Sequence, residues 1–259
     1  MKIEYSVLDP TGNITILVHT PVPPENQPYV ATCLMEQEPD AEQVGFLSED
    51  AGCDIALRMA GGEFCGNASM SAAVLAAMNA GMQKARMTVR VSGAAGPVSA
   101  KVSQLPDGSW SGSVQMPRPE GPRRMVLPGF DTPCPVMEFE GISHVVLEEP
   151  MEQERAEALA PQWCAALGAE AVGMMFFDRK SYRLEPLVYV PAAGTLCWET
   201  SCASGSTAVG VYLAAEAGGL VTAILYQPGG SLMVTTDGEG APTLGGTIRL
   251  RKTGSMELA

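Results

Sequence analysis

Short β-branched runs alternate along this chain with longer segments of helical spacing, and the alternation happens twice. Residues 14–18 are Ile-Thr-Ile-Leu-Val and run into the turn Pro21-Val22-Pro23-Pro24, which reads as a strand leaving a sheet. A helix is expected over about 27–38, with short strands over 42–47 and 54–59. After Gly61-Gly62 comes Cys65 and an Ala-rich stretch. There Met70, Val74, Leu75 and Met78 keep helical spacing, and Gly81 is placed to end the helix. Residues 88–91, 98–102 and 113–116 read as further strands.

The second half runs through the same order. Residues 145–147 are strand-like, 152–167 form an amphipathic helical pattern, and Glu170-Ala171-Val172-Gly173-Met174 echoes Glu42-Gln43-Val44-Gly45-Phe46. A strand over 187–190 follows. Cys202 then opens a Gly- and Ala-rich helix that ends at Gly218-Gly219, with a strand after it. Laid over each other without a gap, 65–81 and 202–218 agree at six of seventeen positions, including the Cys, the Ser four residues later and the closing Gly. That favours an internal duplication with one such cysteine per half. The turn-rich Pro117-Arg118-Pro119-Glu120-Gly121-Pro122 is the expected linker, giving halves of 1–118 and 119–247.

Composition narrows the function classes. Hydrophobic residues make up 46% of the 259 and charged ones 17%, enough apolar material for a packed core. Sixteen Lys and Arg against 29 Asp and Glu leave a net charge of −13, which repels nucleic acid and anionic membrane surfaces alike. The N-terminal residues lack the basic and apolar regions of a signal peptide. The apolar stretch 202–226 is broken by Glu216, glycines and hydroxyls, so it reads as helix then strand and not as a membrane span. Seven cysteines (33, 53, 65, 134, 164, 197 and 202) are odd in number and form no CxxC pair, so neither a disulfide framework nor a metal site is expected. A cytoplasmic protein with reduced thiols is the simplest expectation. None of the five lysines (2, 84, 101, 180 and 252) lies in a glycine-rich pocket motif, which argues against pyridoxal and leaves no cofactor expected.

Two cysteines stand apart from the other five, which read as ordinary core residues. Cys65 in Phe64-Cys65-Gly66-Asn67-Ala68-Ser69 and Cys202 in Ser201-Cys202-Ala203-Ser204-Gly205-Ser206 each meet the start of an expected helix. Unpaired N–H groups and partial positive charge at a helix N-terminus lower a thiol's pKa and cradle a carboxylate. A ligand with its α-carboxylate at both helix ends would have a sulfur on each side of its α-carbon. One thiolate would then take the α-proton while the opposite thiol delivers one. On the residues alone, ordinary burial of both cysteines stays open.

These motifs resemble the diaminopimelate epimerase superfamily of cofactor-independent amino-acid racemases and epimerases, over nearly the whole chain. Gly12-Asn13 is similar to that family's N-terminal Gly-Asn, Cys65-Gly66-Asn67 to its first cysteine motif, and Cys202-Ala203-Ser204-Gly205 to its second. The resemblance implies an α/β (α+β) fold of two pseudo-symmetric domains, each a strand barrel around a central helix, with 248–259 returning to the first. The match is closer to the histidine racemases that supply D-histidine for staphylopine-type metallophores. Glu42-Gln43-Val44-Gly45-Phe46, Glu63-Phe64-Cys65-Gly66-Asn67-Ala68, Trp198-Glu199-Thr200-Ser201-Cys202 and Gln227-Pro228-Gly229-Gly230-Ser231 carry it. Where diaminopimelate epimerases place a Glu-Arg pair before the second cysteine, this chain has Ala193 and Gly194. Without that Arg a distal carboxylate cannot be clamped in the same way.

The resemblance implies a pyridoxal-independent, two-cysteine racemase with histidine as substrate. Cys65 and Cys202 would be catalytic, and Asn13, Glu42, Gly66, Asn67, Glu199, Ala203 and Ser204 would bind the substrate. Glu42 or Glu199 would read the imidazole, with Glu199 alternatively on the α-ammonium. For His144 a structural role outweighs a proton relay. A small amino acid is the expected partner, with neither nucleic acid nor membrane, and the family implies a homodimer. Two other readings stay open: an epimerase of another amino acid, diaminopimelate included, or a non-enzymatic ligand-binding or thiol redox protein.

Overall fold

A computed structural model describes residues 1–258. The first part of the chain forms β1 (Lys2–Pro10), β2 (Thr15–Val18), α1 (Gln27–Gln37), β3 (Gln43–Asp50), β4 (Cys53–Met59), α2 (Gly66–Asn79), β5 (Lys84–Val91), β6 (Val98–Gln104) and β7 (Trp110–Gln115). Then follow β8 (Glu120–Leu127), β9 (Phe130–Phe139), β10 (Ile142–Leu147), α3 (Gln153–Leu167), β11 (Val172–Asp178), β12 (Arg183–Val190) and β13 (Thr195–Trp198). The last elements are α4 (Ala203–Ala217), β14 (Val221–Gln227), β15 (Gly230–Thr236) and the long β16 (Thr243–Glu257). Two compact units result, one of Met1–Gln115 with Gly245–Ala259, the other of Met116–Leu244.

In the first unit the strands follow the order β1-β2-β3-β4-β5-β6-β7-β16, and β16 pairs antiparallel with β1 to close an eight-stranded barrel. Two neighbouring pairs are parallel, β2 with β3 and β4 with β5. A parallel pair needs a long crossover, and the helices supply it. α1 crosses with one buried face, Val30, Ala31 and Leu34, and packs on β3. α2 is buried on nearly every side and packs against β1, β2, β4, β5, β6 and β7, so it forms the barrel's central core. Its Ala- and Ser-rich sequence suits that place, because small side chains let a helix fit among encircling strands. Gly81, at φ +67°, ends it in the left-handed conformation, with Met82 N–H returning to Ala77 O at 2.9 Å.

The second unit repeats the plan. Its strands run β15-β14-β12-β11-β10-β9-β8, with β13 attached to β12, and β10–β11 and β12–β14 are the parallel pairs. α3 crosses with Ala156, Leu159, Ala160, Trp163 and Cys164 buried on one side. α4 is the buried central helix, packed against β8, β9, β10, β11, β14 and β15. The fold class is thus the α+β one expected. The Pro-rich stretch after β7 is only in part a linker: Glu120-Gly121-Pro122 already belongs to β8. Among the described residues no helix is long and apolar enough to cross a membrane.

Candidate active site

Each central helix starts on a cysteine. Cys65 is the N-cap of α2, extended at φ −131°, ψ 115°, and its Sγ accepts the Ala68 N–H at 3.4 Å. Cys202 is the N-cap of α4 at φ −112°, ψ 112°, and its Sγ accepts the Gly205 N–H at 3.4 Å. The parallel extends one turn further. Ser69 Oγ donates to Cys65 O at 2.7 Å, and Ser206 Oγ to Cys202 O at 2.7 Å. Sulfur takes the N-cap position usually held by a hydroxyl or carboxylate oxygen, so each thiol faces the orphan N–H groups of a helix end.

Around Cys65 the first unit gathers a polar network. Asn67 is buried, and its Nδ2 donates to Asn13 Oδ1 at 3.1 Å; its own Oδ1 is buried without a partner among the described residues. Asn13 Nδ2 donates to Glu42 Oε2 at 2.5 Å. Gln43 donates to both Asn13 Oδ1 and, at 2.8 Å, Thr15 Oγ1, and it hydrogen-bonds the Cys65 side chain as well. Asn13, Glu42 and Asn67 therefore share one cluster with Cys65. Gly66, the first helical residue, is buried beside it. Gln43 was not foreseen as a site residue, although it lies inside the Glu42-Gln43-Val44-Gly45-Phe46 block, one residue from Glu42.

The approach to Cys65 is held from behind. Ser92 Oγ donates to Glu63 O at 2.9 Å and accepts the Met59 N–H at 2.9 Å. Gly93, at φ +69°, lies so close that a Cβ there would overlap Phe64 N and stand 2.7 Å from Glu63 C.

The second unit surrounds Cys202 differently. Gln227, at the end of β14, accepts the Cys202 N–H at 2.8 Å and donates to Ser206 Oγ at 2.9 Å. Both peptide ends of Cys202 are thereby tied into one ring of hydrogen bonds, a capping arrangement supplied from a neighbouring strand. Glu199 hydrogen-bonds the Cys202 side chain. Ser204 Oγ stands 3.7 Å from Cys202 Sγ and 2.9 Å from His144 Nε2. Cys202, Glu199, Ala203 and Ser204 thus come together as expected, while Gln227 was not singled out as a site residue. It opens the Gln227-Pro228-Gly229-Gly230-Ser231 block of the resemblance, but nothing in that block names its role at Cys202.

The electrostatics overturn one expectation. Both thiols are held above the usual value and not below it. Burial pushes the Cys65 thiol up to about 11, against the opposing pull of the Ala68 N–H and the Gln43 amide. Cys202 is raised well above the ordinary thiol value, first by burial and then by the Glu199 carboxylate, with Gly205 N–H and Ser204 pulling the other way. Helix-end N–H groups do favour thiolate, but at these sites desolvation wins. His144, fully buried, is pushed down to about 3 by the same cause, so it stays neutral and carries no proton as a cation. Among the described residues no group of three or more His, Cys, Asp or Glu side chains could hold a metal ion.

Known proteins share this architecture and much of the sequence. A family model described as the histidine racemase CntK N-terminal domain matches residues 2–249. A histidine racemase of Staphylococcus aureus is 31% identical over 249 residues, spanning 90% of this chain and 88% of that protein. A histidine racemase of Fusobacterium nucleatum is 32% identical over 222 residues, spanning 82% of this chain and 81% of its own length. Among solved structures, a predicted epimerase from Pseudomonas aeruginosa superposes with a TM-score of 0.76 at 17% identity, over 99% of this chain and all of that one. At that identity the likeness shows the fold alone.

Proposed function

Since this chain belongs to the histidine racemase family, we propose that it interconverts L- and D-histidine, with Cys65 and Cys202 as the two bases and no need of metal or pyridoxal. The observation that carries the reading is the matched pair of N-cap thiols on two central helices, each set among helix-end N–H groups. In the forward direction one sulfur, as thiolate, removes the α-proton. The other, as thiol, delivers its proton to the opposite face of the planar intermediate, and the roles exchange in the reverse direction. The helix-end N–H groups, with Gly66 and Ala203 leaving room for close approach, bind the α-carboxylate and take up the charge that builds on it. Asn67 presents a buried acceptor to the α-ammonium. Glu42 reads the imidazole N–H, and Glu199 supports the α-ammonium beside Cys202.

Burial sets how the thiols work. A desolvated thiolate is a stronger base than one in water, which suits it to a weakly acidic α-proton, but less of it is ionised near neutrality. Each sulfur has donors that favour thiolate, Ala68 N–H and Gln43 at Cys65 and Gly205 N–H and Ser204 at Cys202, and an acidic neighbour that opposes it, Glu63 and Glu199 respectively, so either can hold the proton while the other acts as base. The sign of the pH dependence follows. The base gains activity as pH rises toward its raised pKa, and activity falls only when the second thiol also ionises. Thus kcat/KM for histidine still climbs as pH passes about 8.5, the ordinary thiol value. A profile already flat at neutrality would contradict buried thiols as the bases.

The function is tested by incubating reduced, pyridoxal-free protein with L-histidine in D2O. Loss of the α-proton signal should match D-histidine formation on chiral chromatography. Exchange in a different amino acid with silence for histidine would keep the chemistry and replace the substrate. Silence across a full amino-acid panel with intact thiols would end the racemase reading.

A further inference from the structure

Strand register sets one position of the two units in contrast. In the first, Leu17 on β2 pairs with Gly45 on β3; in the second, His144 on β10 pairs with Gly173 on β11. A histidine thus stands in the core where the sister unit has a leucine. The ring is fully buried, edge-on to Phe139 at 5.6 Å between centroids, and a Cβ on Gly173 would lie 2.7 Å from its Cε1. Placing an imidazole in such a position costs free energy unless a hydrogen bond offsets it. That bond joins Nε2 and Ser204 Oγ at 2.9 Å, and Ser204 Oγ lies 3.7 Å from Cys202 Sγ.

The tautomer gives this chain a direction. Nδ1 is buried without a partner among the described residues. An orphaned lone pair is tolerated better than an orphaned N–H, so the proton belongs on Nε2. Nε2–H then donates to Ser204 Oγ, which leaves the Ser204 hydroxyl proton free to turn toward the Cys202 sulfur. We propose that His144 is a positioning residue for Cys202, fixing the Ser204 hydroxyl as a donor to the sulfur when it is a thiolate. The charged group facing Cys202 is Glu199, which opposes that thiolate; the Ser204 donor and the Gly205 N–H act against it. In the first unit the corresponding side-chain donor to the sulfur is Gln43, and Leu17 needs no such role. His144 itself remains neutral and exchanges no proton with the substrate.

The usefulness of a Cys202 thiolate rests on the racemase reading, but the test does not. Iodoacetamide labelling of Cys65 and Cys202 in the full chain is followed by mass spectrometry as a function of pH. Each of His144→Leu and Ser204→Ala should slow Cys202 labelling about tenfold at a given pH and move its profile to higher pH. Cys65 in the same molecules should label as in the unaltered protein. The double variant should be no slower than Ser204→Ala, because the histidine acts only through the serine. His144→Gln, which keeps a neutral N–H donor, should fall between His144→Leu and the unaltered protein. An unchanged Cys202 profile in Ser204→Ala or His144→Leu, or effects that multiply in the double variant, would overturn the proposal. If His144→Leu fails to fold, His144→Gln is compared in the Ser204 and Ser204→Ala backgrounds. A change of equal size in both backgrounds then overturns it, and a change confined to the Ser204 background supports it. Failure of the D2O experiment would remove the racemase reading and leave this labelling pattern standing.

Discussion

Cys65→Ser and Cys202→Ser should each lower histidine racemisation by at least about a thousandfold while the fold stays intact. Serine fits either N-cap, where a hydroxyl is a better helix-starting group than a thiol, so thermal stability should hold or rise slightly. Chemistry is what fails. A buried hydroxyl cannot become the base, and it is a poor acid for the opposite face. The single variants carry a second piece of information. A variant that still washes the α-proton out of one enantiomer in D2O, without inverting it, assigns the surviving thiol to that enantiomer. Near-normal turnover in either variant would defeat the two-base mechanism.

Gly93→Ala is expected to cost histidine turnover about a hundredfold, although residue 93 touches no substrate in this reading. Its φ of +69° disfavours any L side chain, and its Cβ would press on the backbone of Glu63 and Phe64, which cannot swing aside as a flexible side chain can. The strain passes to the next residue, Cys65, and a displacement of about 1 Å at a reacting group is enough for a loss of that size. The backbone strain should also lower stability by about 1–3 kcal/mol, measured by denaturant unfolding. Cys202 labelling by iodoacetamide serves as the internal control and should not change. Turnover within a factor of about two of normal would show that the loop after β5 does not position Cys65.

The helices could be read in advance because their signals are local. α1, α2, α3 and α4 fall within a residue or two of the spans that apolar spacing and closing glycines indicated. β2 likewise announces itself through a β-branched run, and β3 and β4 cover the short strands expected over 42–47 and 54–59. β1 and β16 do not announce themselves, because they pair with each other across the chain: Lys2 pairs with Glu257, and Pro10 with Ile248. Nothing within nine residues of Lys-Ile-Glu-Tyr-Ser-Val-Leu-Asp-Pro specifies a partner so remote. The same limit applies to the site. The cysteines, Asn67 and Ser204 belong to short motifs, so sequence finds them. Gln43 and Gln227 lie inside blocks of the resemblance, but their contacts with the cysteines arise only because folding brings a strand end to a helix mouth. The ionisation of the thiols departs from the helix-end expectation for a related reason. Position at a helix end is visible in sequence, whereas the depth of burial that outweighs it belongs to the packed structure.

One feature of the barrel bears on how the protein is made. The unit that carries Cys65 is closed by β16, whose pairing with β1 joins residues more than two hundred positions apart. The other unit is built from one uninterrupted stretch, Met116–Leu244. During synthesis the later-encoded unit therefore has all its strands while the earlier one still lacks its closing strand, and α2 meanwhile lies in a barrel with an unpaired edge. A nascent chain in that state exposes β1 and β7 to mispairing until β16 emerges. Closure of the earlier-encoded barrel thus waits on a strand translated after the later-encoded unit.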